Sequence, residues 1–385
     1  MNLIEVEEKE YIKYAYKHPN ISFYQTPNWG KFKNNYGWQL SYVLLKDVNK
    51  VIGGTMLLAK KVPKINKYIF YTPRGFLIDY NDQAVLENFT KEIKKYIKKQ
   101  KGIFVKIDPN IIHLERNGNY EVIPNGIDNS NVIKNLKSLG YKFHGFTTGF
   151  IGRGSTQARW AYRIDLKDRT IDEIHDNFNT TTKQLLRKDK HIIIRELNEN
   201  ELNIFYEMME HTCKRQRFDY RGSDFFQKMY DELIAGNMIK VMVAELDVDN
   251  YLQELDKKDD KYLELKKLKT KKLILATAWF ITFGNEVYYH SAGSYREYMK
   301  YNGQYILQWE MIKYAKKEGY HYYNLGGIGG INDKNDPHYG LWYFKNNFRG
   351  EVVEYIGEFD LIINKPLYWL YNLTYDFYMK WHNKK

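Results

Sequence analysis

The first half of the chain has a pattern of apolar and polar positions that predicts three strands, a helix and a fourth strand. The segments at 41–46, 51–60 and 68–72 are rich in β-branched, aromatic and aliphatic residues, which is typical of strands. Residues 83–99 follow, and their apolar positions fall on one face of a helix. These positions are Leu86, Phe89, Ile93, Tyr96 and Ile97. Gly102 ends this pattern, and a strand at 103–107 leads into Asp108-Pro109.

The second half of the chain repeats that order. Segments at 239–246, 273–283 and 286–292 have the composition of strands, and residues 304–317 have a helical stripe. The stripe consists of Tyr305, Trp309, Ile312 and Ala315. Gly319 ends it, and a strand at 320–325 leads into Gly326-Gly327. The repeat predicts an α/β (α+β) protein made of two domains of similar plan. Chance recurrence of a common element order is the alternative.

We place the first domain at 1–155 and the second at 156–364. The C-terminal segment 365–385 is rich in Trp, Tyr, Leu and Phe. We expect it to form a helix that docks back on the first domain, with shallow contact with the inner leaflet of a membrane as the alternative.

A charged segment at 247–272 separates two predicted strands of the second half. Its few apolar residues have helical spacing, and Asp259-Asp260 supplies a break. The segment therefore predicts a short helical hairpin inserted in the second domain, with a disordered charged loop as the alternative. We expect it to contribute little to either core.

Charge and cysteine content restrict the partners and the compartment. Lys and Arg number 59 against 47 Asp and Glu, which gives a net charge of +12. This charge favours an anionic partner such as RNA, a phosphate group or an acidic membrane surface. The single Cys213 excludes an intramolecular disulfide and a cysteine-based metal site. No apolar run approaches the ~20 residues that span a bilayer, so we expect a cytoplasmic protein, with a peripheral membrane position left open.

Motifs of the common cofactor and hydrolase sites are missing from the sequence. There is no HExxH spacing, no Gly-x-Ser-x-Gly elbow and no Walker loop, so we expect neither a metal nor a cofactor. The glycine-rich stretch 326–330 opens no helix and is typical of a loop. N-acetyltransferases share the two-meander plan and hold a pyrophosphate on a glycine-rich turn at a helix start. The helix starts at 80–83 and 301–304 lack those glycines, which argues against acetyl-CoA as donor.

A series of short motifs resembles one known family. The motifs, in chain order, are QTPNWGK at 25–31, PRG at 73–75, IDP at 107–109, RW at 159–160, a basic helix at 183–190, Arg221 with Phe225-Phe226, YHSAGS at 289–294, NLGGI at 324–328, GLWYFK at 340–345 and YIGEFD at 355–360. Together they resemble the FemA/FemB/FemX group of non-ribosomal peptidyltransferases. The resemblance extends over nearly the whole chain.

The resemblance implies two tandem acetyltransferase-like domains and an aminoacyltransferase activity. Members of this group take an amino acid from aminoacyl-tRNA and add it to lipid II or UDP-MurNAc-pentapeptide, and so build peptidoglycan bridges. Many also carry a long coiled-coil arm where this chain has the shorter segment 247–272. A role for that segment in holding tRNA is therefore in doubt.

The resemblance also assigns roles to single residues. Lys345 matches the lysine that stabilises the oxyanion in the family, and its neighbour Phe344 gives it an aromatic setting. A solvated surface lysine is the alternative. Lys31 and Arg221 match residues that contact the diphosphate of the precursor, with surface salt bridges as the alternative. Phe225 stands where the family has a tyrosine, so a hydroxyl contact is lost.

Other candidates rest on weaker signals. Asp108 and Ser291 lie at predicted strand ends that face the same inferred cleft, with strand-end capping as the alternative. The basic helix at 182–191 offers Lys183, Arg187 and Lys188 to tRNA phosphates, although a solvated face explains the same charges. No general base is identified. An acyl-CoA-dependent N-acyltransferase and a non-catalytic RNA- or membrane-binding module are the competing functions.

Overall fold

The computed structural model describes residues 1–149, 156–188 and 191–382. The described residues form two compact units. Unit 1 consists of Met1–Trp160, Gly329–Ile331 and Val353–Lys385, and unit 2 consists of Ala161–Ile328 and Asn332–Val352. The chain therefore leaves unit 1 near residue 160, returns to it briefly at Gly329–Ile331 and returns again at Val353.

Unit 1 begins with seven strands and four helices. The strands are β1 (Asn2–Glu5), β2 (Trp38–Asp47), β3 (Lys50–Lys61), β4 (Tyr68–Thr72), β5 (Gly102–Ile107), β6 (Ile112–Glu115) and β7 (Tyr141–Phe143). The helices are α1 (Glu8–Ala15), α2 (Pro27–Asn34), α3 (Gln83–Lys99) and α4 (Ser130–Ser138).

Helix α3 has the bounds that its apolar stripe predicts. Asp82 caps its first turn, since the side chain accepts a hydrogen bond from the backbone N–H of Val85 at 3.0 Å. The stripe residues Leu86, Phe89 and Ile93 are fully buried in the core of unit 1. The one-sided burial explains why this helix could be predicted from spacing alone.

Unit 2 continues with strands and helices in alternation. Its strands are β8 (Trp160–Asp165), β9 (Ile192–Glu196), β10 (Ile239–Asp247), β11 (Lys272–Phe283), β12 (Glu286–Ser294) and β13 (Tyr322–Gly327). Its helices are α5 (Ile171–Asn177), α6 (Thr180–Lys188), α7 (Leu202–Gln216), α8 (Ser223–Ile234), α9 (Val248–Glu254), α10 (Asp260–Leu268), α11 (Gly303–Lys317) and α12 (Tyr339–Asn346). The chain ends with β14 (Glu351–Tyr355), β15 (Phe359–Ile362) and α13 (Lys365–His382).

The sheets of the two units have the same plan. In unit 1 the strand order is β1-β2-β3-β4-β5-β15-β7, and in unit 2 the strands β8-β13-β12-β11-β10-β9 are neighbours in that order. Strands β2, β3 and β4 form an antiparallel meander, α3 follows, and β5 pairs parallel with β4. Strands β10, β11 and β12, helix α11 and the parallel strand β13 repeat this arrangement. The predicted α/β fold class with two units of similar plan is confirmed.

In unit 2, the parallel strands β12 and β13 are hydrogen-bonded to each other over only part of their length. Pairing between β12 and β13 ends at Tyr288 and Asn324, whereas β12 stays paired with β11 as far as Ser294. Beyond Tyr288, the backbone of β12 is therefore free of a ladder on the β13 side. The candidate site of unit 2 lies around this point.

The C-terminal helix α13 belongs to unit 1 and packs on β5. The rings of Phe104 and Tyr368 meet edge to face with centroids 5.1 Å apart. Within the described part of the chain, no helix combines the length and the apolar character that crossing a bilayer requires.

The charged segment between β10 and β11 folds as the predicted helical hairpin, α9 and α10. The expectation that it contributes little to a core is wrong. Val248 and Leu265 are each only 1% exposed, and the ring of Tyr251 lies edge to face with that of Tyr301, at 6.2 Å. The hairpin contributes Val248 and Leu265 to the core and packs Tyr251 against Tyr301, whereas Leu263 and Leu268 remain 47% and 38% exposed.

Replacing residues 248–271 with Asn-Gly should lower the free energy of unfolding by about 2–5 kcal/mol, because two buried side chains are lost and Tyr301 is uncovered. Asp247 and Lys272 are directly paired, so a two-residue turn fits the ladder. Urea denaturation measures the change, with Leu263→Ala as control since Leu263 is 47% exposed. An unchanged midpoint in the deletion variant would contradict the packing role.

Candidate active site

Lys345 is a buried lysine at the end of helix α12. The residue is 3% exposed, and its Nζ donates a hydrogen bond to the carbonyl oxygen of Gly327 at 2.6 Å. Among the described residues, no carboxylate forms an ion pair with it. Burial lowers the pKa of Lys345 to about 7, because the charged ammonium loses its hydration without gaining a counter-ion. The alternative of a solvated surface lysine is excluded.

The two glycines at the end of β13 make room for this lysine. Gly326 has a φ of +80°, and a Cβ at this position would lie 2.9 Å from the carbonyl oxygen of Tyr289 and 3.8 Å from the Nζ of Lys345. Asn324 fixes the turn, since its side-chain oxygen accepts a hydrogen bond from the Gly326 N–H at 2.8 Å. The sequence interpretation of 326–330 as a loop is wrong for Gly326 and Gly327, which are buried within β13 beside Lys345, whereas residues 328–330 lie outside any helix or strand.

Aromatic side chains surround the end of α12. Phe344 is half-buried and meets Tyr305 edge to face at 5.0 Å and Phe348 at 5.7 Å. Asn347 anchors the hydroxyl of Tyr305 with a hydrogen bond of 3.0 Å. These rings limit water access around the helix that carries Lys345, which strengthens electrostatic interactions there.

A polar cluster on β12 lies just beyond the end of the β12–β13 ladder. The Nδ1 of His290 and the Oγ of Ser291 are joined by a hydrogen bond of 2.9 Å. Burial, and then the nearby charge of Arg221, lower the pKa of His290 to about 4, so the imidazole is neutral at pH 7. Arg221 itself is exposed, with its guanidinium 5.0 Å from the ring of Phe225. Unit 2 thus brings Ser291 and the charge of Arg221 close to His290, and Phe225 close to Arg221.

Sequence reasoning missed His290, Gly326 and Gly327. The motifs YHSAGS and NLGGI contain all three and were the available signal. A role for each of them depends on burial and on close approach between strands, which a motif does not give.

The candidate site residues of unit 1, Asp108 and Lys31, already have hydrogen-bond or ion-pair partners within that unit. Asp108 follows β5, is 2% exposed, and accepts hydrogen bonds from the backbone N–H of Arg74 at 2.8 Å and from the hydroxyl of Tyr71 at 3.2 Å. Burial raises its pKa to about 7 against the lowering effect of the Arg74 charge. The strand-end capping that the sequence left open is therefore present.

Lys31 lies on α2 and forms a surface ion pair with Glu8, with 3.0 Å between Nζ and Oε1. The side chains are 47% and 39% exposed. Such a pair contributes about 0–1 kcal/mol, so a phosphate group could displace the carboxylate at little cost.

The basic helix is α6, which covers Thr180–Lys188 and so differs from the predicted 182–191. Lys183 donates to the carbonyl oxygen of Asp176 at 2.9 Å, and Arg187 is exposed. The side chain of Lys188 and the residues 189–190 lie outside the described part of the structure, and with them Lys190 of the predicted helix.

Comparison with known proteins identifies the family to which this chain belongs. The model of the FemAB family matches residues 6–273 and 256–376, which is nearly the whole chain. The chain belongs to the FemAB family. The predicted resemblance to the FemA/FemB/FemX group is confirmed.

Individual FemAB relatives are similar over their full length. The chain is 29% identical to the lipid II:glycine glycyltransferase of Staphylococcus haemolyticus, covering 96% of this chain and 94% of that protein. It is 27% identical to the aminoacyltransferase FemB of Staphylococcus epidermidis, with 97% of both proteins covered. The crystal structure of FemX matches with a TM-score of 0.82 at 26% identity, covering 96% of this chain and 99% of that one. The FemX match confirms the predicted tandem fold, and the FemAB protein described here is an aminoacyltransferase.

Proposed function

We propose that this protein transfers glycine, alanine or serine from aminoacyl-tRNA to the stem-peptide amine of a peptidoglycan precursor. The observation that carries the proposal is the buried Lys345 of α12 in a FemAB protein. It has no carboxylate partner among the described residues and donates a hydrogen bond to Gly327 at the end of β13. Similarity to a lipid II:glycine glycyltransferase supports a lipid II acceptor, with UDP-MurNAc-pentapeptide as the second acceptor to test. The reaction would take place in the cytoplasm, at the inner face of the membrane when the acceptor is lipid-linked.

In the proposed reaction the acceptor amine attacks the ester carbonyl that joins the amino acid to the tRNA ribose. A tetrahedral intermediate forms, and its former carbonyl oxygen becomes negatively charged. The bond to the ribose oxygen then breaks, that oxygen takes up the proton which the amine gives up, and an amide bond remains. Because the ester is already activated, the protein contributes mainly positioning and stabilisation of the oxyanion.

Lys345 is the residue proposed to stabilise that oxyanion. Its site is buried, where a charge interacts more strongly than in water, and no described carboxylate neutralises it. With a pKa of about 7, protonated and neutral forms of the lysine are both populated near neutral pH. The developing negative charge favours the protonated form, so stabilisation is greatest in the transition state.

In unit 2, Arg221 is proposed to supply a cation for the diphosphate of the acceptor, with Phe225 beside Arg221 and Ser291 beside His290. In unit 1, the resemblance to the family assigns Lys31 a phosphate contact as well. Asp108 has hydrogen bonds to both of its oxygens, so we expect it to act by fixing the backbone of Arg74. Donor binding is proposed to use Lys183, Arg187 and Lys188 on α6 together with the positive net charge.

The test is transfer of radiolabelled glycine, alanine or serine from charged tRNA to lipid II and to UDP-MurNAc-pentapeptide. Label in the acceptor that depends on tRNA supports the proposal and identifies the amino acid. Acylation that needs acyl-CoA and ignores charged tRNA would instead identify an N-acyltransferase. Retention of tRNA without transfer to either acceptor would identify a binding module.

Arg221→Ala should raise KM for UDP-MurNAc-pentapeptide about tenfold and change kcat little, because phosphate contacts made in the ground state contribute uniform binding. Lys31→Ala should have a smaller effect in the same direction. Steady-state kinetics with the UDP-linked acceptor and with a truncated, phosphate-free peptide measure both effects.

Two control variants make this comparison specific. Lys214→Ala removes an exposed cation of α7 that pairs with Glu210, and it should leave KM unchanged. Glu8→Gln removes the partner of Lys31 but keeps the cation, and it should not weaken acceptor binding. Equal losses with both acceptors in Arg221→Ala would rule out the phosphate role.

A further inference from the structure

Helix α13 has large apolar side chains on the face that points away from unit 1. Its inner face packs on β5 through Tyr368, which is 6% exposed. On the outer face, Trp369, Leu370 and Leu373 are 68%, 48% and 53% exposed. A surface helix normally has polar residues on this side, and contiguous exposed apolar side chains usually mark an interaction surface. We call these three residues the apolar row.

A lysine-rich hairpin lies next to the same helix. Val62, which follows β3, and Ile69 on β4 pack against the cluster of Phe104 and Tyr368 that α13 also covers. The stretch 60–71 carries four lysines and no acidic residue. The lysines are Lys60, Lys61, Lys64 and Lys67. We call this segment, 60–67, the lysine hairpin.

The apolar row and the lysine hairpin lie on the same side of the sheet of unit 1. Lys60 is the cross-strand partner of Ile69, so both side chains lie on the sheet face that α13 covers. Lys142 extends the positive charge, with its Nζ 5.1 Å from the ring of Tyr368. At the tip of the lysine hairpin, Ile65 is 40% exposed between Lys64 and Lys67. Apolar and aromatic side chains beside a group of lysines are complementary to the surface of an anionic bilayer.

We propose that the apolar row and the lysine hairpin bind the surface of a membrane that contains anionic lipid. The apolar row enters the headgroup region, while the lysines contact lipid phosphates. The helix lies on the bilayer, since no described helix can span it. The proposal rests on the proposed function in one respect: a lipid-linked acceptor would require the enzyme to work at a membrane surface.

The test is co-sedimentation of the full chain with vesicles, either of phosphatidylcholine alone or of phosphatidylcholine mixed with phosphatidylglycerol. The wild type should bind the mixed vesicles, and less well as the salt concentration rises. Trp369→Ser, Leu370→Ser and Leu373→Ser together should lower the partition coefficient at least tenfold. Lys61→Ala and Lys64→Ala should lower it about fivefold for each lysine removed. The double variant Val48→Ser, Lys50→Ala is the matched control, because it removes an exposed apolar residue and a lysine elsewhere in unit 1.

Three results would overturn the proposal. The first is a wild type that does not bind the mixed vesicles, and the second is a triple variant that binds as well as the control. The third is a wild type that is dimeric and a triple variant that is monomeric but still binds vesicles. The apolar row would then be a contact between two copies of the chain. Transfer to UDP-MurNAc-pentapeptide should be the same in all variants. Vesicle binding without any transfer activity would refute the proposed function, but it would still support the proposed membrane-binding surface.

Discussion

Lys345→Met should lower kcat for amino acid transfer by ~10²–10³-fold, which is the usual loss when one oxyanion donor is removed. The same variant should be more stable than the wild type. Burial lowers the pKa of Lys345 from 10.5 to about 7, so folding works against a charged amine. Each pKa unit corresponds to about 1.4 kcal/mol. After the hydrogen bond to Gly327 is lost, we expect a net gain of about 1–3 kcal/mol in the free energy of unfolding.

The stability difference between Lys345→Met and the wild type should depend on pH in one direction. The pKa of Lys345 in the folded protein lies below its value in the unfolded chain, so between pH 7 and 10.5 the unfolded chain binds the extra proton. The stability advantage of Lys345→Met should therefore be greatest at and below pH 7 and should vanish as the pH approaches 10.5. Because the proposed oxyanion role requires the protonated lysine, kcat/KM of the wild type should also fall above a pH of about 7.

Single-turnover transfer assays and urea denaturation across this pH range measure the two effects. Lys313→Met is the matched control, because Lys313 is 41% exposed and pairs with Glu310 on α11. It should change neither activity nor stability measurably. Near wild-type turnover in folded Lys345→Met would show that the lysine has no part in the transition state.

The fold could be predicted from local patterns where one face of an element is buried. Helix α3 and strand β4 have the predicted bounds, and the repeated order of meander, helix and parallel strand recurs in both sheets. The contribution of the α9–α10 hairpin to the core was not predicted, because most of its residues are charged and Val248 and Leu265 are among its few apolar positions. Spacing locates an apolar stripe, but the surface that covers it depends on residues distant in sequence.

The sequence named candidate residues for the site, but it missed His290, Gly326 and Gly327 and gave no information on the burial or charge around any of them. The resemblance singled out Lys345, but its environment includes the carbonyl oxygen of Gly327 and the backbone of Gly326, which precede it by nearly twenty positions. The lowered pKa of His290 likewise depends first on its burial and then on the charge of Arg221, which is distant in sequence. Burial and mutual charge are properties of the folded unit, so a sequence motif gives the participants without their pKa values.

The motif Arg159-Trp160 illustrates the same limit, because Arg159 belongs to a buried ionic network of unit 1 centred on Glu354. Glu354 is 3% exposed and accepts hydrogen bonds from the Nδ1 of His113 at 2.9 Å, from the Nε of Arg116 at 2.5 Å and from Arg159. Burial alone would raise the pKa of Glu354, but these hydrogen bonds and the charges of the two arginines lower it to about 2. The network joins residues that are about 200 positions apart, which explains why no local pattern predicted it.

Glu354→Gln should lower the free energy of unfolding by about 3–5 kcal/mol, because glutamine keeps the volume but leaves two arginines in the network without their counter-ion. The pKa of Glu354 is lower in the folded protein than in the unfolded chain, so its contribution is complete above pH 4.5 and is lost as the pH falls towards 2. The difference between variant and wild type should shrink over that range. Urea denaturation measures it, with Glu92→Gln as control, because Glu92 pairs with the 63% exposed Lys95 and should change stability by less than about 1 kcal/mol. A loss that is equal in the two variants, or independent of pH below 4.5, would contradict a role for the Glu354 charge in holding unit 1 together.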